Sequence, residues 1–318
     1  MKIMQIISGS AVNGAIRHCL LLSRELARRG HDVTLVCRPN AWIGGQVKSD
    51  PIRLIESDLH RWPTGELRRI AAILDQEGYD VVHTHMSRAH LCGVLLRLFT
   101  RVPRVATAQS RHFQPHWALN DMVIAASEAT RLYHRRFNLV PARQIITIHN
   151  FIDGSRFESL PADVRTRVRV SLGIADSDPL ICVVGNVIPR KGQLYAIRAL
   201  PRILAAHPST RMIFAGEEEL AYFRRVRAEA DTLGVSSRVH WLGLRNDIHE
   251  LLAAGDLFVL PALEETLPLA ILEAMAIGLP TVATTVGGNA ECVVQDETGL
   301  LVPPRNHAAL AEAVCSLL

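Results

Sequence analysis

Two glutamates with seven residues between them, Glu265 and Glu273, lie in the segment richest in chemistry, Leu260-Pro-Ala-Leu-Glu-Glu-Thr-Leu-Pro-Leu-Ala-Ile-Leu-Glu-Ala-Met-Ala-Ile-Gly-Leu-Pro280. The apolar run ending at Leu260 reads as a buried strand. A short polar loop follows, and a helix opens near Pro268, where a missing N–H costs a helix nothing. Helix N-termini present unpaired backbone N–H groups and partial positive charge. One that follows the carboxyl end of a strand is suited to phosphate. Glu265 falls in the loop and Glu273 inside the helix, so both can turn into one cleft and accept hydrogen bonds from vicinal hydroxyls. Glu273 is flanked by Leu272, Ala274, Met275 and Ala276. A charge in such a run normally has a partner.

Three further segments carry candidate groups. In Val183-Val-Gly185-Asn-Val-Ile-Pro-Arg190-Lys191-Gly192, Gly185 ends a buried strand and Lys191 precedes a helix. A flexible cation there suits a leaving diphosphate, whose charge grows in the transition state. Arg190 is a second cation, in a loop position that normally faces solvent. In Ser8-Gly9-Ser10-Ala-Val-Asn13-Gly14, a glycine loop follows the first strand, but the Gly-x-Gly-x-x-Gly spacing of a dinucleotide fingerprint is missing. In Asp80-Val-Val-His83-Thr-His85, strand alternation puts the two histidines on one face. No carboxylate or cysteine completes a metal set with them. His83 reads as a core histidine and His85 as the functional one. Asp176-Ser177-Asp178 imitates a metal-binding Asp-x-Asp but falls in a polar linker ahead of a strand, so no metal requirement follows from it.

The elements that must position these groups alternate along the chain. Short apolar runs at 3–8, 31–38, 79–85, 102–108, 121–125 and 144–149 read as strands separated by amphipathic helices. After a charged, Pro- and Gly-containing break near 150–177, the alternation restarts with strands at 180–184, 212–215, 239–242, 257–260 and 281–284. The pattern predicts an α/β protein of two Rossmann-like parallel-sheet domains, residues 1–160 and 161–318, facing an interdomain cleft. The 318 residues fit two domains, and no apolar stretch reaches the length of a membrane span. The N-terminal run is too short for a signal-peptide core. The cysteines are scattered without a CxxC pair and read as buried thiols. Charge is uneven: residues 1–150 hold 20 Lys and Arg against 11 Asp and Glu, net +9, and the remainder is net −5. A basic first half favours anionic partners.

The segment from Glu265 through Glu273, Ala274-Met275-Ala276, Gly278, Pro280, Val282-Ala283-Thr284, Gly287-Gly288 and Glu291 to Thr298-Gly299-Leu300-Leu301-Val302 resembles the retaining glycosyltransferase family 4, of GT-B architecture. The resemblance runs through almost the whole chain and is strongest from 239 to 302. It implies a donor-binding second domain and an acceptor-side first domain. It assigns Glu273 to the ribose hydroxyls of a nucleotide-sugar, Glu265 to the donor sugar, and the amides of Leu267 and Leu269 to the diphosphate. Lys191 meets the leaving group, with Gly185, Asn186 and Arg190 beside it, and Arg245 lies at the turn where the base stacks. Gly14 approaches the diphosphate and sugar, and His85 contacts the transferred sugar or stabilises charge. His85, Lys191 and Glu265 are the expected catalytic groups. The family carries Arg at the position of Asn186 and a further Gly at that of Asn13, two departures. Family members also continue past the helix ending at Leu318 into a last crossover helix.

The implied activity is metal-independent hexosyl transfer from a UDP- or GDP-sugar to a glycan or lipid-linked acceptor in cell-envelope polysaccharide or glycolipid synthesis. The expected partners are the nucleotide-sugar, that acceptor and an anionic membrane surface, without nucleic acid or a cofactor. The expected location is the cytoplasm, peripheral to the inner face of the membrane. A non-catalytic GT-B homologue serving as a nucleotide-binding or scaffold partner is the alternative. A sugar-nucleotide epimerase is disfavoured by the paired glutamates, and a dinucleotide oxidoreductase by the missing fingerprint.

Overall fold

A computed structural model describes residues 1–59 and 64–318. The chain divides into two compact units, Met1–Phe151 and Ile152–Leu318. The division thus falls ahead of the 160/161 boundary, because the short helix after Gly154 goes with the second unit.

Unit 1 runs β1 (Lys2–Ile7), α1 (Gly14–Arg28), β2 (Asp32–Cys37), α2 (Trp42–Gln46), β3 (Ile52–Glu56), α3 (Thr64–Gln76), β4 (Val81–His85), α4 (Ser87–Leu96), β5 (Arg104–Ala108), β6 (Met122–Ala125), α5 (Glu128–Phe137) and β7 (Ile145–Thr147). Its strands form one parallel sheet in the order β3-β2-β1-β4-β5-β6-β7. The central strands are buried at almost every position because helices cover both faces. Helix starts are set by side-chain caps. Asn13 accepts the Ile16 N–H at 3.1 Å to open α1, and Ser127 accepts the Thr130 N–H at 3.2 Å to open α5.

Unit 2 runs α6 (Ser155–Glu158), α7 (Val164–Leu172), β8 (Leu180–Val184), α8 (Gln193–Ala206), β9 (Arg211–Ala215), α9 (Leu220–Thr232), β10 (Val239–Trp241), α10 (Ile248–Ala254), β11 (Leu257–Leu260), α11 (Leu269–Ala276), β12 (Thr281–Thr284), α12 (Asn289–Cys292), β13 (Gly299–Val302) and α13 (His307–Leu317). Its parallel sheet has the order β10-β9-β8-β11-β12-β13. Arg169 of α7, fully buried, staples this helix to the sheet. Its guanidinium donates to Asp256 at 2.6 Å and to the carbonyls of Ala254, Ala175 and Asp178.

Both sheets are doubly wound, and their strand order reverses between β1 and β4 in unit 1 and between β8 and β11 in unit 2. A crevice opens beyond the strand carboxyl ends at such a reversal, because successive helices leave to opposite faces. The glycine loop after β1 and the His85 end of β4 flank the first reversal. The Gly185–Gly192 loop and the Leu260–Leu269 loop flank the second.

The short edge strands β3 and β13 and the one-turn helices α2, α6 and α12 are not legible in the sequence pattern. In β3 only Ile52 is fully buried, so the run of apolar residues that marks the inner strands is missing. Cys19, Cys37, Cys92, Cys182 and Cys292 are buried free thiols, as expected, whereas Cys315, near the end of α13, is a free thiol only half-buried.

Candidate active site

In unit 2 the loop after β8 is fastened directly to the loop after β11. Gly192 has φ 70°, and a Cβ there would lie 2.0 Å from the Pro261 carbonyl oxygen. Only glycine allows that approach. Two residues earlier, the Arg190 carbonyl accepts the Leu263 N–H at 2.7 Å and the Glu264 N–H at 3.2 Å. The 261–265 loop is braced from the other side by Thr284, whose hydroxyl donates to the Ala262 carbonyl at 2.6 Å. Asn289 in turn donates to the Thr284 carbonyl at 2.9 Å. Gln193, buried at the start of α8, donates to the Asn186 carbonyl at 2.9 Å.

This fastening brings Lys191 to Glu265. The ammonium donates to Glu265 Oε1, and the guanidinium of Arg190 stands 4.0 Å from Oε2. The exposures differ: the side chains of Glu265 and Lys191 are 6% and 14% exposed, that of Arg190 48%. Lys191 therefore belongs to the buried pair, and Arg190 stands at its rim, as its loop position implied. The Lys191 stem crosses the α-carbon of Gly185, where even an added Cβ would be 3.7 Å from Nζ. An ammonium has three N–H groups, and Glu265 orients them by taking one.

Helix α11 begins at Leu269, with Pro268 as the extended cap residue before it, one position earlier than a first-turn proline would be. Leu267, Pro268 and Leu269 are buried, and Glu273 is half-buried in the following turn. The first N–H groups of α11 have no carbonyl four residues back within the helix. Arg245 is exposed and forks onto Asp247, at 2.8 and 2.5 Å, and this holds the Asp247 carboxyl below its usual range.

In unit 1 the structure gathers a histidine cluster that is wider than the sequence pattern shows. His85 is fully buried, with Nε2 2.7 Å from Gln5 Oε1 of β1. His83 lies alongside, its ring 4.4 Å from that of His85 and its Nε2 2.6 Å from the Thr107 hydroxyl. His18 of α1 completes the group, 5.9 Å from the His85 ring and 5.5 Å from Phe151. Burial pushes His18 down to about 4 and His83 to about 3, and holds His85 well below its usual range. All three are neutral near pH 7, so His85 offers hydrogen bonding and not a full charge. The buried atoms Gln5 Nε2, His18 Nδ1 and His85 Nδ1 have no hydrogen-bond partner among the described residues. Buried polar atoms are normally hydrogen-bonded, so open ones gathered in one place call for a partner such as water or a polar ligand.

Gln5, His18 and Phe151 carried no signal in the sequence, because each lies in a different segment and meets His85 or its neighbours only through the fold. Gly14 opens α1 in uncrowded space. The close approach in that loop is at Gly9, where a Cβ would lie 2.5 Å from the Met86 sulfur. Met86 itself, directly after His85, is held at φ 72°. Among the described residues no three His, Cys, Asp or Glu side chains gather as a metal site.

Two doubly wound parallel-sheet units with a lysine–glutamate pair and a helix N-terminus at the second reversal define a GT-B protein. Residues 12–156 match the family model described as Glycosyltransferase Family 4, and residues 178–318 the model described as Glycosyl transferases group 1. The chain belongs to glycosyltransferase family 4. It is 28% identical to an uncharacterized glycosyltransferase of Methanocaldococcus jannaschii, over 96% of this chain and 85% of that one. It is 27% identical to the lipopolysaccharide glucosyltransferase WaaG of Escherichia coli, over 91% and 81% respectively. The crystal structure of Anabaena HepE in complex with UDP-glucose superposes with a TM-score of 0.88 at 22% identity, covering 99% of this chain and 89% of that one. Among the described residues, no helix is long and apolar enough to cross a membrane.

Proposed function

We propose that the protein is a retaining hexosyltransferase that takes its sugar from a UDP- or GDP-sugar and delivers it to a glycan or lipid-linked acceptor. We place it in cell-envelope polysaccharide or glycolipid synthesis, in the cytoplasm and peripheral to an anionic membrane face. The observation that carries this reading is the buried Lys191–Glu265 pair beside the start of α11. In it, Glu273 binds the ribose, Glu265 the donor sugar, and the Leu267 and Leu269 amides the diphosphate. Lys191, with Arg190 at the rim, stabilises the diphosphate as it leaves, without a metal ion or other cofactor. His85 contacts the transferred sugar as a neutral hydrogen-bonding group. The acceptor hydroxyl approaches on the face of the departing diphosphate, which retains the anomeric configuration. UDP-glucose in the HepE crystal structure and the named activity of WaaG are consistent with this class of donor and acceptor.

Calorimetric titration of UDP, GDP, ADP and their sugars on wild type and Glu273→Ala tests the nucleotide site. Selective micromolar binding, weakened in the variant, is expected; no binding to any of them would overturn the reading. Lys191→Ala is expected to keep nucleotide binding and lose turnover. Product anomers resolved by proton NMR test retention. A second reading, a non-catalytic homologue, is favoured by one feature: Asn186 stands where the family has Arg, and its carbonyl is committed to Gln193. Donor binding without turnover on any acceptor would select it.

A further inference from the structure

Unit 1 carries an apolar and cationic knuckle that its own fold does not use. Asn138, at the end of α5, is buried, and it ties two chain segments together. Its side-chain amide donates to the His112 carbonyl at 2.9 Å, and its Oδ1 accepts the Gln114 N–H at 2.6 Å. The residues on either side of these anchor points are apolar and turned outward: Phe113 is 67% exposed, Phe137 48% and Leu139 77%. Large apolar side chains brought together at one corner of a surface mark an interaction site more than singly scattered ones do.

The backbone adds a second observation. Leu139 is held at φ 55°, in the left-handed region that a helix end normally fills with glycine. The Val140 N–H closes onto the His134 carbonyl at 3.2 Å to keep it there. A branched, apolar residue thus occupies a strained position at which its side chain gains almost no burial.

The third observation is charge. The stretch 109–149 that builds this corner holds five arginines and two carboxylates. Both carboxylates are engaged, Asp121 with Arg104 and Glu128 with Arg131. Arg135, Arg136 and Arg143 are exposed, and the Arg136 guanidinium lies 5.4 Å from the Phe137 ring centre. Exposed aromatic and leucine side chains with exposed arginines close by in the chain match the two layers of an anionic bilayer, acyl chains below and phosphates above.

We propose that the knuckle of Phe113, Phe137 and Leu139, with Arg135, Arg136 and Arg143, is the surface that seats this protein on an anionic lipid bilayer. It deepens the peripheral-membrane reading above by naming the surface, and it does not depend on which donor is used. The apolar side chains enter the headgroup boundary, and the arginines meet lipid phosphates.

The test is flotation of the full chain with vesicles of phosphatidylcholine alone and of phosphatidylcholine with phosphatidylglycerol. Wild type is expected to float only with the anionic vesicles, and less so as salt is raised. Arg135→Glu/Arg136→Glu is expected to weaken the partition coefficient by roughly 30-fold or more, since each removed arginine is worth several-fold at such a surface. Leu139→Gly separates binding from folding: it relieves the left-handed strain, so its melting temperature should hold or rise while flotation falls. Wild type that does not float with anionic vesicles overturns the membrane reading and this surface together. Anionic binding that survives in both variants overturns the surface alone. A concentration-dependent dimer that both variants abolish, without vesicle binding, would make the knuckle a self-association face and overturn the proposal.

Discussion

Replacing Gly192 with alanine tests whether the fastening of the two unit 2 loops holds the site together. The new Cβ would lie 2.0 Å from the Pro261 carbonyl oxygen, and side-chain carbons essentially never come within 3.0 Å. One loop must therefore retreat by about 1 Å, which as overpacking costs about 1–3 kcal/mol. The left-handed backbone adds about 1 kcal/mol. Gly173 is the internal control: it has φ 67° in the same unit, but a Cβ there meets nothing within 4 Å. Gly173→Ala should cost the backbone part alone, about 1 kcal/mol, lowering the unit 2 melting temperature by about 2–4 °C. Gly192→Ala, at about 3 kcal/mol in total, should lower it by about 6–12 °C by scanning calorimetry. Because Lys191 and Glu265 sit on the two loops that separate, turnover should fall on the order of 100-fold, as misplacement of about 1 Å does elsewhere. Equal melting of the two alanine variants would refute the argument, because it would mean that the loops give way at no cost.

Three other outcomes are expected. The buried histidines make unit 1 acid-sensitive. His18, His83 and His134 are neutral in the fold, at about 4, about 3 and about 4, and take up protons near 6.5 when unfolded. Their contribution is fully present above pH 6.5 and is lost as pH falls toward the folded values, at about 4 kcal/mol per pH unit for the three. By pH 5 the unit 1 transition should have dropped well below that of unit 2 in calorimetry; parallel shifts of both would count against this. Lys191→Met leaves the Glu265 carboxylate buried with the more distant Arg190 as its remaining cation among the described residues and should cost about 3 kcal/mol in denaturant unfolding, while Lys191→Met/Glu265→Leu should recover most of it. A double variant as unstable as the single one would contradict that. Arg169→Lys cannot reproduce the bond to Asp256 together with those to the carbonyls of Ala254, Ala175, Asp176 and Asp178, and should cost about 3 kcal/mol or more, whereas an unchanged unfolding midpoint would show the staple to be dispensable.

How much of this was legible in the sequence depended on whether a signal was local. Inner strands such as Leu180–Val184 are continuous apolar runs because both of their faces are covered, so they announce themselves. Edge strands such as β3 interleave Arg53 and Glu56 with apolar residues and do not. The carboxylate spacing, Lys191 and the helix start near Pro268 are local patterns, and they fall on the two loops that the fold joins. The contact between Lys191 and Glu265 is not local: it depends on Gly192 meeting Pro261 across parallel strands. Gln5 sits among apolar residues of β1 and His18 on a mixed helix, so neither stands out, and only strand order puts Gln5 beside His85, since β1 pairs with β4 so that Ile7 is opposite His85.

That register explains why the histidine cluster lies where it does. Gln5 and His85 are offset by two along neighbouring parallel strands, so their side chains emerge on the same face, and the 2.7 Å contact follows. Gln5 Oε1 can only accept, so the imidazole presents its proton at Nε2 and leaves Nδ1 as a lone pair. His18 reaches the same point from α1, because the glycine loop after β1 turns the chain sharply enough to lay that helix over the β1–β4 reversal. Unit 2 builds its site by the same logic, with the Gly185–Gly192 loop after β8 meeting the loop after β11 at the second reversal. The two halves differ in what they offer there. Unit 1 presents uncharged donors and acceptors from which burial has removed the charge. Unit 2 presents the Lys191 side chain, oriented by its hydrogen bond to Glu265. A sugar with many hydroxyls and no charge suits the first environment, and a diphosphate suits the second.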